Sequence, residues 1–447
     1  MLKRFSIENF ASFKGEQSFD LTAGRTEVLP EHVVDFADVK LLKSAVIYGA
    51  NASGKSNLVK ALDYAKKIIV NGLSHVDTHK KYFRLDEHSS KQQSSFDFEL
   101  EIDNRFFSYG FSAVLKDKVI TEEWLYEIGK NKPELVFQRN KETLEFGKLL
   151  KKPSIKARFE IYQDDMKNQR SQLFLAEIAG KDLELVDIQV MNSIYHWFDE
   201  KLLVIYPDDI FNGMSSINED HTNMFTKYLR GFDTGVVKIN AIDEDFDIRF
   251  KHMTEEVRAT IEKDLSKRNK KEFVIKVPGD NPQFLTVYKD DDGELKVRKL
   301  GLVHGKNTTD VFELKDESDG TRRLLDFIPL ISKFAEDYTV VIDEFDRSLH
   351  PKLTRAFFEL FYQSHQSKAQ LIVTTHESTL LDLELLRRDE IWFVEKGEDD
   401  SSSLFSLNKF KIRYDSKIEK AYLLGRYGAV PVFGSFDNID WDSQDGI

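Results

Sequence analysis

Gly49-Ala50-Asn51-Ala52-Ser53-Gly54-Lys55-Ser56 lies between the apolar run Ser44-Ala45-Val46-Ile47-Tyr48 and the helical stretch Asn57-Leu58-Val59-Lys60-Ala61-Leu62. A strand, a glycine-rich turn and a helix in this order make a phosphate-binding loop. Glycines let successive backbone N–H groups turn inward around phosphate oxygens, and the following helix adds the positive end of its dipole. The pattern assigns Gly49, Asn51 and Gly54 to the nucleotide, places Lys55 on its β- and γ-phosphates, and gives the Ser56 hydroxyl to Mg²⁺. Such a pattern arises by chance in about a few per cent of chains this long, so distant partners must decide.

Those partners lie toward the C-terminus. Thr339-Val340-Val341-Ile342-Asp343-Glu344 is a short β-branched run ending in two carboxylates, which predicts a buried parallel strand. Asp343 is placed to hold the Mg²⁺ shell, and Glu344 to orient or polarise the attacking water, a task the loop cannot perform. Gln370-Leu371-Ile372-Val373-Thr374-Thr375-His376 predicts a second such strand. Its terminal His376 is placed to donate to the γ-phosphate or to sense its loss. Either run alone has an ordinary structural explanation; with the loop, in this order, they specify a site for ATP and Mg²⁺.

Glu317-Ser318-Asp319-Gly320-Thr321-Arg322-Arg323 precedes the helical Leu324-Leu325-Asp326-Phe327-Ile328-Pro329-Leu330. A small polar turn opening a helix is another anion-binding end, here offered by Ser318, Gly320 and Thr321. One γ-phosphate does not need two helix N-termini from one face. In ABC ATPases such a signature binds the nucleotide held by a second subunit, so that two chains sandwich two ATPs. An ordinary N-capped helix is the alternative on these seven residues.

Several stretches together carry a family resemblance. Ile7-Glu8-Asn9-Phe10-Ala11-Ser12-Phe13, the loop extended by Asn57, the Glu-Ser-Asp-Gly-Thr-Arg signature and Asp343-Glu344-Phe345-Asp346-Arg347-Ser348-Leu349-His350-Pro351 resemble the SMC/RecF branch of ABC ATPases. More narrowly, Gln172-Leu173-Phe174-Leu175, Phe232-Asp233-Thr234-Gly235-Val236 and the tail from Tyr422 to Pro431 resemble bacterial abortive-infection ATPases of the RloA/AbiLi type, a group that includes the ATPase subunit of the PARIS anti-phage system. The resemblance spans nearly the whole chain. It implies an α/β fold, an ABC-type head with a P-loop core sheet, an antiparallel β lobe and a helical insertion. It adds Asn57 to the nucleotide-binding residues, makes Arg347-Ser348-Leu349-His350 a D-loop, and offers Gln172 as the Q-loop glutamine. His350 stands where transporter-type relatives have Asp.

Composition narrows the functional classes. The chain has 447 residues, 41% hydrophobic, enough for a core and more than one lobe. It has no cysteine, which excludes disulfides and thiolate metal sites and suits a reducing cytosol. The first residues enter a strand directly, without the apolar core of a signal peptide, and no apolar run approaches the roughly 20 residues that cross a bilayer. A cytoplasmic chain without a membrane span is expected. Net charge is −13, from 77 acidic and 64 basic residues, which does not favour a DNA-coating surface. The basic stretches Lys263–Lys271 and Arg139–Lys156 read as solvated faces rather than nucleic-acid sites. The 35 phenylalanines, scattered through alternating runs, read as core.

Along the chain, residues 1–90 and 300–447 form the expected ATPase core, 91–150 an antiparallel β lobe, and 151–299 a mainly helical insertion. The lobe follows from alternating runs at Phe96–Ile102, Phe106–Leu115, Val119–Ile128 and Leu135–Gln138, separated by turn signals. In the insertion, about 155–200 is helical, with an apolar face of Val186, Ile188, Val190, Ile194 and Trp197. Residues 222–270 are expected to be helical too, with short strands near 273–277, 284–289 and 295–303. Sustained heptads are absent, which excludes long coiled-coil arms. Asp399-Asp400-Ser401-Ser402-Ser403 reads as an exposed turn, and Asp437–Ile447 as an acidic tail.

After His376 about seventy residues remain, too few for the TOPRIM nuclease domain of related OLD-family ATPases. The resemblance therefore implies a sensor and scaffold in anti-phage defence that dimerises, or assembles further, around ATP. It would hold or release a separately encoded effector, typically a TOPRIM-type nuclease, in response to a phage protein. A RecF-like repair ATPase that binds DNA directly, and a cassette coupled to a membrane transporter, are the alternatives; the long insertion argues against the transporter.

Overall fold

A computed structural model describes residues 1–129, 132–140, 143–166, 169–179, 181, 189–209, 219–251, 254–255, 258–259, 261, 272–277, 283–290, 292–305, 310–363, 367–412 and 417–431. The basic stretch 263–271, the residues Val186 and Ile188, and the acidic tail 437–447 lie outside the described residues. The chain forms two compact units. One comprises Met1–Val204, Thr339–Phe345 and Gln370–Ile447; the other comprises Ile205–Tyr338 and Asp346–Ala369.

The first unit contains two large sheets. Strands β1 (Leu2–Glu8), β2 (Gln17–Asp20), β6 (Ser94–Ile102), β7 (Arg105–Val114), β8 (Val119–Ile128), β9 (Glu134–Arg139) and β10 (Leu144–Phe146) form one, in the order β10-β9-β8-β7-β6-β1-β2. Its neighbouring strands pair antiparallel throughout. This is the expected lobe, enlarged by the two N-terminal strands. A hairpin of β3 (Val33–Phe36) and β4 (Val39–Leu42) leads into the core sheet. That sheet holds β5 (Ser44–Tyr48), β11 (Leu202–Ile205), β17 (Thr339–Ile342), β18 (Gln370–Thr374), β19 (Ile391–Lys396) and β20 (Ser402–Ser406), in the order β11-β17-β18-β5-β19-β20. β17, β18, β5 and β19 run parallel, and every residue of β17, β18 and β5 is buried. Continuous apolar runs are what strands covered on both faces require.

Gln370 joins the two sheets. It is fully buried, and its side-chain oxygen accepts from Leu2 N at 2.6 Å and Thr339 Oγ1 at 3.1 Å. Its amide nitrogen donates to the carbonyls of Leu2 (2.8 Å) and Leu42 (3.0 Å). Every polar site of the buried amide is thereby used, which a buried side chain needs to avoid a desolvation cost. The phenylalanines do form core: Phe5, Phe96, Phe98, Phe107 and Phe111 are fully buried, with Phe5 and Phe98 in ring contact at 4.7 Å. Helices Pro153–Met166, Phe174–Ala179 and Gln189–His196 fulfil the helical expectation for 155–200.

In the second unit, helices Glu219–Gly231 and Phe246–Arg249 agree with the helical expectation for 222–270, and the segment between them departs from it. Val236–Asp245 is a strand, β12, in an antiparallel sheet of order β12-β15-β14-β13 with β13 (Glu272–Val277), β14 (Gln283–Lys289) and β15 (Leu295–His304); β16 (Phe312–Glu313) also pairs with β15. Charge obscures β12 in the sequence. Asp243 and Asp245 sit directly opposite Arg298 and Lys296, and Arg298 Nε reaches Asp243 at 2.6 Å. Cross-strand opposite charges stabilise such a pair, so the acidic run is compatible with a strand. Among the described residues, 151–299 thus holds its helices and the expected short strands together with the additional strand β12. Phe225, Leu229, Val236, Ile239, Leu300, Leu302, Leu324, Leu325 and Ile328 form one hydrophobic core of the second unit, the last three contributed by the signature helix Asp319–Lys333.

Candidate functional site

The order β17-β18-β5 decides which residues meet. β5 ends in the glycine loop, β17 in Asp343-Glu344 and β18 in Thr375-His376, and the strands are parallel, so all three deliver these residues at one edge. β18 lies between the other two, which separates the carboxylate strand from the loop strand by about 9.5 Å. The loop helix Lys55–Asn71 bridges that gap from its first turn: Ser56 Oγ donates to Asp343 Oδ1 at 3.1 Å. Two oxygens bound side by side to an octahedral Mg²⁺, each at about 2.0–2.1 Å, stand about 2.9 Å apart. Ser56 and Asp343 therefore fit the ion without rearrangement. Asp343 is buried, 3% exposed.

The loop is a cradle that side chains would fill. A Cβ on Gly49 would come 2.5 Å from Ser53 Oγ and from the Val394 carbonyl. Gly54 has φ +117°, and a Cβ there would stand 2.3 Å from Ser402 Oγ. The Lys55 ammonium is buried and donates to the loop's own carbonyls, Gly49 O at 2.8 Å and Ala50 O at 3.1 Å. Asn51 is exposed on the loop. The residues suit a nucleotide triphosphate: a positive charge held at the loop, backbone able to approach closely, and a helix N-terminus behind it.

A chain of side chains braces the cradle from beneath. Asn57 Nδ2 donates to Ser12 Oγ at 2.8 Å, Ser12 and Ser402 hydroxyls lie 2.7 Å apart, and Ser402 Oγ donates to the Ser53 carbonyl at 2.6 Å. Each hydroxyl carries one proton, so the consistent order runs from Asn57 through Ser12 and Ser402 to the loop backbone. Ser402 N also donates to Ser12 O at 2.7 Å. Asn57 thus meets the loop's support in this structure. Ser402 is 2% exposed, which corrects the reading of 399–403 as an exposed turn: Asp399 and Asp400 form the turn, and Ser402 opens β20. Nothing in the local sequence distinguishes this serine from its neighbours; its role arises only when β20 joins the sheet beside β19.

Residues 44–382, well over half of the chain, match the family described as "AAA domain, putative AbiEii toxin, Type IV TA system". The chain belongs to that family. No curated protein matches it in sequence. Among solved structures, an SMC head bound to the C-winged helix domain of ScpA is similar at 13% identity and a TM-score of 0.41, covering 91% of this chain and 97% of that one. The SMC head domain from Thermotoga maritima is similar at 12% identity and 0.37, covering 92% and 99%.

The remaining predicted residues of this AAA domain divide clearly. Glu344 is half-buried and has a left-handed backbone, φ 48°. Its N–H donates to Thr374 Oγ1 at 2.9 Å. His376 is exposed just past β18. Gln172 is not brought to the loop. Its side-chain oxygen lies 2.8 Å from where a Cβ of Gly72 would be, at the C-cap of the loop helix. Lys55 opens that 17-residue helix, so Gln172 stands about 25 Å from the loop along its axis. Its carbonyl accepts from Arg139 Nη1 at 2.7 Å. Arg139 itself is buried, so at this position the basic stretch 139–156 is structural rather than a solvated face.

In the second unit the signature takes its expected local form. Ser318 is the N-cap of the signature helix, its Oγ accepting from Thr321 N at 3.2 Å and lying 2.9 Å from Thr321 Oγ1. A Cβ on Gly320 would come 3.0 Å from the Ser348 carbonyl, so the signature and the turn 346–350 are in contact. Ser348 has φ 63°, and His350 caps the helix Pro351–Tyr362 by accepting from Lys352 N at 3.1 Å. His350 therefore has a capping role that Asp would also fill. Among the described residues, no group of three or more His, Cys, Asp or Glu is arranged to hold a metal ion, and no helix is long and apolar enough to cross a membrane.

Proposed function

We propose that this AAA domain protein binds ATP with Mg²⁺ and hydrolyses it, and that its nucleotide state controls a separately encoded toxic effector in anti-phage defence. One observation carries the ATPase reading: Ser56 of the loop and Asp343 of a strand two places away meet at 3.1 Å, with Glu344 next in chain. Bound there, the ion would supply charge neutralisation between the phosphates. Lys55 would hold the β- and γ-phosphates, and Glu344 would take the proton of the attacking water. Gly49, Asn51 and Gly54 would shape the backbone around the phosphates, and His376 would contact the γ-phosphate.

The signature turn of Ser318, Gly320 and Thr321 supports closure of two copies over two ATPs. It is an N-capped helix end whose glycine lies close against neighbouring backbone, a Cβ there coming 3.0 Å from the Ser348 carbonyl. The family's description names a toxin of a two-component system, which supports a chain that works with a second protein. A TOPRIM-type nuclease is the proposed effector and a phage protein the proposed trigger, in the manner of the RloA/AbiLi-type ATPases, in the cytoplasm.

The test is affinity purification of Glu344→Gln from the native locus with ATP and Mg²⁺, followed by mass spectrometry and native mass. Recovery of a multimeric ATPase with a nuclease-like protein supports the proposal. A bare ATP-dependent dimer that retains DNA overturns the effector reading and favours a repair ATPase.

A further inference from the structure

We propose that Thr374 is the positioning residue for both carboxylates of the proposed ATPase site, an inference that rests on the ATPase reading. Thr374 is the last residue of β18 and is fully buried. Its hydroxyl donates to Asp343 Oδ1 at 2.5 Å and accepts from Glu344 N at 2.9 Å. Its carbonyl accepts from Phe345 N at 2.9 Å. Three consecutive residues at the end of β17 therefore hang on one residue of the neighbouring strand.

The arrangement answers two needs of the site. Asp343 Oδ1 is the oxygen that Ser56 also approaches, so a donor at 2.5 Å fixes the carboxylate's rotation at the place where an ion would bind. Glu344 adopts a left-handed backbone, which a residue with a Cβ holds only when its surroundings impose it. Thr374 imposes it from both sides: the hydroxyl secures the amide of Glu344 and the carbonyl secures the next one. That turn sets the direction in which the Glu344 side chain leaves the sheet. Thr375, the next residue, donates its N–H to Ile47 O at 3.1 Å on the loop strand. The end of β18 thus registers the carboxylate turn against the loop. A threonine suits the position because its β-branch packs in the buried strand while its hydroxyl serves the turn.

Thr374→Val keeps the shape and the carbonyl but removes the hydroxyl. With saturating ATP, kcat should fall about 10–100-fold, the usual effect of losing a partner that orients a metal ligand. The Mg²⁺ concentration for half-maximal turnover should rise, while KM for ATP, set by the loop, changes little. Thr374→Ser should restore both. A readout independent of turnover is amide hydrogen exchange of Glu344 in nucleotide-free protein: protected in wild type and Thr374→Ser, fast in Thr374→Val. Wild-type turnover together with an equally active Thr374→Val overturns the inference and leaves the ATPase reading standing. A wild-type protein that binds ATP but never hydrolyses it overturns the ATPase reading, and exchange at Glu344 still decides the role of Thr374. Fast exchange of Glu344 in the wild type overturns the inference even if the valine variant fails to fold.

Discussion

Replacing Ser402 by alanine tests whether the phosphate loop is held from behind. The hydroxyl is buried, donates to the Ser53 carbonyl at 2.6 Å and lies 2.7 Å from Ser12 Oγ. Removing it leaves the loop carbonyl without that donor, while Ser12 keeps the bond from Asn57. Orphaning one buried acceptor costs about 1–3 kcal/mol. In a unit of this size Tm should fall by about 2–4 °C for each kcal/mol. Whatever part of that cost falls on the loop conformation that grips phosphate appears in ATP affinity, at about tenfold per 1.4 kcal/mol. The assays are thermal unfolding with and without Mg²⁺·ATP, and titration of ATP binding. Ser12→Ala and the double variant complete a cycle, and residues in one hydrogen-bond chain should show a coupling of about 0.5–3 kcal/mol. A Ser402→Ala protein within about 0.5 kcal/mol of wild type, the range of ordinary surface changes, with unchanged ATP affinity, would refute the brace.

Glu344→Gln should bind ATP as wild type does and lose turnover by at least about 10²-fold, read as phosphate release beside a binding titration; normal hydrolysis would remove Glu344 from the water-activating role. Lys55→Ala should abolish measurable ATP binding, with the loss visible as absence of ATP-dependent thermal stabilisation. Gly320→Glu should spare ATP binding by the monomer yet block ATP-dependent dimerisation, because a carboxylate at the signature turn would repel the nucleotide held by the other copy; a dimer by native mass in that variant would sink signature-mediated closure. Glu313 accepts from Lys299 and also pairs with Lys315, which lowers its carboxyl from 4.5 to about 2. A depressed carboxyl stabilises the fold above its unfolded pKa and loses that contribution as pH falls from about 4.5 toward 2. Glu313→Gln should therefore flatten the acid limb of urea midpoints in that window, and an unaltered limb would show the pair to be screened.

The parts of the site carried by periodicity were legible in the sequence. β5, β17 and β18 are buried on both faces, so their apolar runs are unbroken and end at the residues that carry the chemistry. The alternating lobe was legible for the same reason, down to its turns. What escaped were hydroxyls. Ser12, Thr374 and Ser402 have the same sequence appearance as turn or strand serines and threonines, and only strand order tells which of them meets the loop or the carboxylates. β12 escaped because Asp243, Glu244 and Asp245 look solvated until β15 sets cations opposite them. Gln172 follows the lobe in chain order, as a Q-loop glutamine would, but the fold returns that segment to the far end of the loop helix.

The sheet order gives β18 a part of its own: it lies between the carboxylate strand and the loop strand, which stand two strand spacings apart. β18 fills the gap and converts its own end into the connection: Thr374 to the carboxylates, Thr375 to the loop strand, His376 beyond. The chain continues this connection outward. Ser378 Oγ donates to Glu419 at 2.9 Å, on the short helix Ile418–Leu423, whose Tyr422 lies 5.7 Å from the ring of Tyr48, the residue before Gly49. A change at the end of β18 would therefore be felt at the C-terminal segment through two separate contacts, one from the His376 side and one from the loop side. Glu419→Gln and Tyr422→Leu, tested singly and together, should each leave ATP binding intact, because neither touches the loop glycines, Lys55 or Ser56. If the segment is coupled to the site, limited proteolysis after Tyr422 should differ between ATP-bound and ATP-free Glu344→Gln protein, and the double variant should erase the difference; identical cleavage in both nucleotide states would show the segment to be packing alone.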